Sequence, residues 1–191
     1  MEAPGGNVTG TSDQLPPLEQ LALIRDILPT VAKVGIVYSA AEVNAQVQAE
    51  GVQAAGEELG IEIQVATVTN SSEVQQAAET LDVDAYLVLN DNTVVSAIES
   101  MVQVAEANSR LLVTSDADSV ERGAAAALAT DYLAQGRQSA GIIVRILEGA
   151  DPAQTPVEIQ ESLEISINRE AAQRMGTTIP EAVVKQATKT Y

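Results

Sequence analysis

Residues 83–100 read VDAYLVLNDNTVVSAIES: an apolar run, four consecutive polar residues (Asn90, Asp91, Asn92 and Thr93), and then an amphipathic pattern. The run from Val83 to Asn90 has the length and aliphatic content of a strand covered on both faces. The pattern from Asn92 to Ser109 has helical spacing. A strand that passes directly into a helix is one βα unit, and the same alternation continues on both sides of it. Strands are predicted at 33–39 (KVGIVYS), 61–68 (IEIQVATV) and 110–116 (RLLVTSD), and helices over 17–28, 41–60 and 71–81. Pro16 and Pro17 suit the opening of the first helix, Gly60 suits a left-handed C-cap, and Ser71 or Ser72 suits an N-cap. Strand–helix alternation with short connections gives right-handed crossovers. The fold class is therefore α/β, a three-layer parallel sheet flanked by helices.

The rhythm changes after Asp116. GAAAALAT (Gly123 to Thr130) is too small-sided to read as a robust core strand. Asp131 to Gly149 reads as a helix opened by Asp and closed by Gly. Gly136, Ala140 and Gly141 inside it suggest a face pressed against another backbone, because each glycine costs a helix about 1 kcal/mol relative to Ala. A long alternating segment, Val157 to Asn168, follows, with short helices at 169–175 and 180–188. The stretch Thr177-Thr178-Ile179 before Pro180 offers a capping context.

Composition narrows the function. The chain has 191 residues, 46% of them hydrophobic, with no Phe or Trp and four Tyr, so the core is built from small aliphatics. A net charge of −17 argues against binding to nucleic acid or to anionic lipid, both of which need clustered Lys and Arg. Cys and His are absent, which removes thiolate chemistry, the commonest general base and the commonest metal ligand. Nothing here implies a cofactor. No run is long and apolar enough to span a membrane, and the N-terminus of this chain carries no export-signal pattern.

In an open parallel sheet, ligands sit outside the carboxyl ends of the strands. The candidates there are Tyr38, Ser39, Glu42 and Asn44 after the first strand, and Asn70 with Ser71 and Ser72 after the second. Asn90, Asp91, Asn92 and Thr93 follow the third, and Ser115, Asp116, Asp118 and Ser119 the fourth. Each of these is by itself an ordinary helix cap. Together they make an edge rich in acceptors and neutral donors, without a cation, suited to a ligand that offers an ammonium to Asp91 or Asp116. An alternative is a receiver-like or magnesium-dependent phosphoryl-transfer domain using Asp91, although the first strand lacks the needed carboxylates and the lysines are only Lys33, Lys185 and Lys189. The stretch SDADS has alternating carboxylates but lacks the Gly and distal Glu of a calcium loop.

Six motifs occur in order: PGGNVTGTSD (4–13), VGIVYSAAEVN (34–44), NSSEV (70–74), DNTVVSA (91–97), DSVERGA (118–124) and TIPEAV (178–183). In these the chain resembles the substrate-binding proteins of ABC importers, of the tryptophan- and tyrosine-binding type. The resemblance implies one lobe of a type I periplasmic binding protein and a solute-binding role rather than catalysis. It further implies an amino acid-like ligand, an ABC permease as partner and an extracytoplasmic location. In the family PGGNVTG follows a whole first lobe, so the chain resembles a second half. On that basis the lobe core spans about 7–118 and 157–191, and a crossover segment of about 119–156 belongs to the other lobe. The resemblance places Tyr38, Asn90 and Ser115 where relatives contact ligand. The helix from Asp131 to Gly149, with Tyr132, Ile142, Ile143, Ile146 and Leu147, is expected first to pair with its copy in a homodimer, the alternatives being a foldback onto its own sheet or a mobile helix.

Overall fold

The computed structural model describes residues 3–160 and 162–191. In chain order the elements are β1 (Thr11–Ser12), α1 (Pro17–Ile27), β2 (Lys33–Ser39), α2 (Val43–Leu59), β3 (Glu62–Val68), α3 (Val74–Glu79) and β4 (Ala85–Val88). Next come α4 (Asn92–Ser96), α5 (Ile98–Ala107), β5 (Leu111–Thr114), α6 (Asp118–Glu121), β6 (Ala126–Thr130) and α7 (Tyr132–Leu147). The last are β7 (Glu158–Ile159), β8 (Leu163–Ile167), α8 (Arg169–Arg174), α9 (Glu181–Val184) and β9 (Lys189–Thr190). Two compact units result. One holds the residues up to Leu15 with Thr130–Leu163, and the other Pro16–Ala129 with Glu164–Tyr191.

The larger unit is built on a seven-stranded sheet of order β3-β2-β4-β5-β6-β8-β9. The β2/β3, β2/β4, β4/β5, β5/β6 and β8/β9 pairs are parallel. One step differs. Asn168 donates to the Ala125 carbonyl and Asp131 to the Ser162 carbonyl, so β6 and β8 run in opposite directions. The central strands β4, β5 and β6 are buried throughout, as sheet strands covered on both faces must be. The apolar stripe of α5, with Ile98, Met101, Val102, Val104 and Ala105, closes on this core.

Four local expectations are corrected. Gly123 to Thr130 does contain a core strand, because β6 is paired to β5 (Val113↔Ala126) and fully buried; the backbone ladder holds it, and small side chains suffice between close layers. Residues 119–129 therefore belong with the sheet, and residues up to Leu15 with the smaller unit. The helix expected over 92–109 breaks at Ala97 (φ −111°), where Arg122 Nη1 takes the Val95 carbonyl that a continuous helix would use. The N-cap after β3 is Asn70, not Ser71 or Ser72; its Oδ1 accepts from the Ser72 N–H and hydroxyl. Pro180 caps α9 without a side-chain bond. Gly60 takes the left-handed C-cap as read, at φ +70°.

The smaller unit pairs β1 in parallel with β7, Thr11 opposite Glu158. The alternating segment 157–168 is thus two strands in two different sheets, not one. Helix α7 starts at an Asp131 cap, whose Oδ1 accepts from the Ala134 N–H, and ends at Leu147, with Gly149 (φ +106°) just beyond its Glu148 C-cap. Ile142 is buried, while Tyr132, Leu133, Ile143, Val144 and Leu147 are exposed. The inner side is polar: Thr11 hydrogen-bonds Ser139, Gln138 donates to Glu158, and Arg145 pairs with Glu158. The two helix glycines press on no backbone within this chain. A Cβ on Gly136 would meet nothing within 4 Å, and one on Gly141 only the Arg145 guanidinium at 4.0 Å. Gly136→Ala should therefore raise the stability of this unit by about 0.5–1 kcal/mol, the helix-propensity difference. A denaturation midpoint equal to or below the parent's would contradict this.

Candidate functional site

The edge formed by the carboxyl ends of β2, β4 and β5 lies wholly within the larger unit. Val34 pairs with Ala85, and Val88 with Thr114. Continuing that register places Tyr38, Leu89 and Ser115 in one row, and Ser39, Asn90 and Asp116 in the next. Alternate rows face opposite sides of a sheet.

Most of the polar groups that the sequence places here hold the edge together. Asp91 is completely buried; its Oδ2 accepts from Ser39 N at 2.6 Å and its Oδ1 from Val94 N at 2.9 Å, capping α4. Burial pushes its carboxyl above the usual range, against the pull of those two N–H groups, and the neighbouring Glu42 charge adds to the rise. Glu42 fills both oxygens. Oε2 accepts from Asn92 N and Nδ2 at 3.0 and 2.9 Å, and Oε1 from Thr93 N and Oγ1 at 3.0 and 2.9 Å. Burial opposes its charge, but these four donors prevail and hold its carboxyl below the ordinary value. Asn44 Nδ2 donates to the Asn90 carbonyl, and Gln48 Oε1 accepts the Asn90 N–H.

The outer positions differ. Asn70 lies in an exposed network with Thr69, Ser72 and Glu73. Asp116 accepts from the Ser119 N–H and hydroxyl, and Asp118 is exposed in the fields of Arg122 and Lys189. An expected ammonium partner, Asp91 or Asp116, is in each case a structural cap.

Three side chains remain at the edge in other states. Tyr38 and Asn90 are half-buried, and no hydrogen bond engages either side chain among the described residues. Ser115, 2% exposed, accepts at its Oγ from Gln20 Nε2 at 2.8 Å. Gln20 was missed in the sequence, yet a signal was available. It lies on the buried stripe of α1 with Leu23, Ile24 and Ile27, where a polar residue needs a partner.

Chemically, this edge offers neutral hydrogen-bond donors and acceptors. No cluster of three or more His, Cys, Asp or Glu able to hold a metal ion occurs among the described residues. Lys33 pairs with Asp82 at 3.7 Å, and stands at the start of the strand whose far end carries Ser39. The magnesium and phosphoryl-transfer alternative thus finds no such carboxylate cluster among the described residues, and its acceptor Asp91 is buried. No helix among the described residues is long and apolar enough to cross a membrane.

The chain is 33% identical over 172 residues to a tyrosine-binding protein of Clostridioides difficile, covering 89% of this chain and 50% of that protein. Among solved structures, a conserved domain protein of Vibrio cholerae is 39% identical with a TM-score of 0.88, covering 100% of this chain and 65% of that one. An ABC domain from Streptococcus pneumonia in complex with L-Trp is 34% identical with a TM-score of 0.85, covering 100% and 67% respectively. The chain thus spans about half the length of its curated relative. The ABC transporter substrate-binding protein family model matches residues 1–191, and the chain belongs to that family.

Proposed function

We propose that this chain is the ligand-binding lobe of an extracytoplasmic solute-binding protein that delivers an amino acid to an ABC permease and performs no catalysis. The observation that carries the reading is the carboxyl edge of the sheet, where Tyr38 and Asn90 hold uncommitted polar side chains above a row of engaged caps. Such a rim can close on a small zwitterion without carrying out chemistry on it. Relatives named for tyrosine and solved with L-Trp support an aromatic amino acid as the ligand.

The smaller unit fits the same reading. Its groove of about 550 Å³ is lined by Val8, Ile142, Ile143, Ile146, Leu147 and Pro152, an apolar face that one buried residue of α7 does not satisfy. The longer relatives carry further chain that would cover it, and in this reading the crossover belongs to that second lobe. The homodimer expected through α7 finds no support among the relatives. Titration calorimetry on the full-length protein with a panel of amino acids tests the function. Heat is expected with tryptophan or tyrosine, and silence with the whole panel would overturn the assignment.

A further inference from the structure

The chain passes between its two units three times, at Leu15–Pro16, Ala129–Thr130 and Leu163–Glu164. On the smaller unit's side, one buried residue reaches the stretch beside each passage. Gln160, 5% exposed, donates its backbone N–H to the Ser12 carbonyl at 3.2 Å, ahead of the first passage. Its side-chain Nε2 donates to the Asp131 carbonyl at 3.2 Å, just after the second, and to the Ser162 carbonyl at 2.8 Å, just before the third. An amide nitrogen has two protons, and both are committed here. Further ties join these stretches in pairs. The Asp131 N–H donates to the Ser162 carbonyl at 3.2 Å, and the exposed Tyr132 hydroxyl lies 3.3 Å from Asp13 Oδ2.

Two polar atoms of the same stretches are left unmatched. Gln160 Oε1 and Thr130 Oγ1 are buried and make no hydrogen bond among the described residues. A buried polar atom without a partner raises the free energy of the arrangement that holds it. The three bonds donated by Gln160 therefore hold the stretches together, while the two unmatched atoms lower the cost of leaving that arrangement. Compact units joined by a few connections move relative to one another by default, and the residues at the connections absorb the change.

We infer that Gln160 is a positioning residue that staples the three connecting stretches into one joint and so limits how freely the two units turn about it. None of its hydrogen bonds goes to the side chains assigned to the sheet edge. Its effect on binding would be indirect. A joint with fewer accessible arrangements loses less entropy when a ligand fixes one of them. The inference concerns the joint itself and holds whichever solute the protein carries.

The test is a distance measurement between spin labels on the full-length protein, without ligand. This chain has no Cys, so labels can be placed at Gln154→Cys in the smaller unit and Glu57→Cys in the larger, both exposed positions, with any cysteine elsewhere replaced by serine. Gln160→Leu should make the distribution of label distances about twice as broad as the parent's, because the stretches then move separately. Gln160→Glu should do the same, since it keeps the shape but sets an acceptor against two carbonyls. Gln138→Leu is the control. Gln138 also donates twice, to Glu158 and to the Ile159 carbonyl, but it joins α7 to β7 and spans no passage, so its distribution should match the parent's. Should Gln160→Leu fail to fold, Gln160→Asn carries the test, because its shorter amide cannot reach both carbonyls. Folded Gln160 variants with distributions as narrow as the parent's, or an equal broadening in Gln138→Leu, would overturn the inference. No ligand enters the measurement, so either result leaves the binding proposal to its own calorimetric test.

Discussion

Replacing Asp91 by alanine is expected to cost about 3–5 kcal/mol of stability, since it strands two buried N–H donors at about 1–3 kcal/mol each and removes the cap of α4. The donors are Ser39 N, at the end of β2, and Val94 N, in the first turn of α4. One carboxylate thus ties a strand end to a helix start 52 residues further along the chain. Asp91→Asn keeps one acceptor and should lie between parent and alanine variant. The neighbouring Asn90→Ala is the control. Its side chain bonds to nothing among the described residues, so the change should stay within about 0.5 kcal/mol. Urea denaturation with an unchanged slope separates these cases. An Asp91→Ala midpoint matching that of Asn90→Ala would show that Asp91 is not the structural tie described above. The pair separates two neighbours in the sequence, a structural tie at Asp91 and a side chain without a hydrogen bond among the described residues at Asn90.

Gly56→Ala should destabilise the larger unit by about 1–3 kcal/mol, the usual range for overpacking a core. Helix propensity by itself says the opposite, since alanine in a helix gains about 1 kcal/mol over glycine. Packing decides the sign. A Cβ on Gly56 would lie 2.5 Å from Ile63 Cγ1 and 2.7 Å from the Ile61 carbonyl oxygen. Ile63 could rotate, but the carbonyl belongs to the turn that enters β3 and cannot move without shifting the strand. Gly56→Val should be worse still. Measured beside Gly136→Ala, whose site is open, the two glycines should change stability in opposite directions. A stabilising Gly56→Ala would mean that α2 can lift off β3 at little cost.

Much of the architecture was legible in sequence. The strands at 33–39 and 61–68 and the helices beginning at Pro17 and ending at Leu59 and Leu147 follow from period, Pro and Gly placement and Asp131 as a cap, all of which act over a few residues. The candidate edge was legible too, because strand ends are fixed once the strands are. The reading failed where a distant partner decides. Ala126–Thr130 looked too small for a core strand until β5 and the oppositely running β8 closed on it. The alternating run after Val157 gave no sign that β7 would join β1 and β8 the large sheet, since both strands share one local pattern and differ only in the neighbour they find.

The same division runs through the site. From composition and order alone came an acidic, His-free and Cys-free α/β chain with polar residues gathered beyond its strands and the motifs of a solute-binding family. Which of those polar residues face a ligand was not written locally. An Asp after a strand reads the same whether it meets solvent or caps a helix. Only the tertiary structure, by bringing Ser39 to Asp91, Glu42 to Asn92 and Thr93, and Gln20 to Ser115 across 95 residues, commits the Asp91 and Glu42 carboxylates to the edge itself. A hydrogen bond is a short-range, directional contact, and its partner is chosen by the fold rather than by the residues beside it.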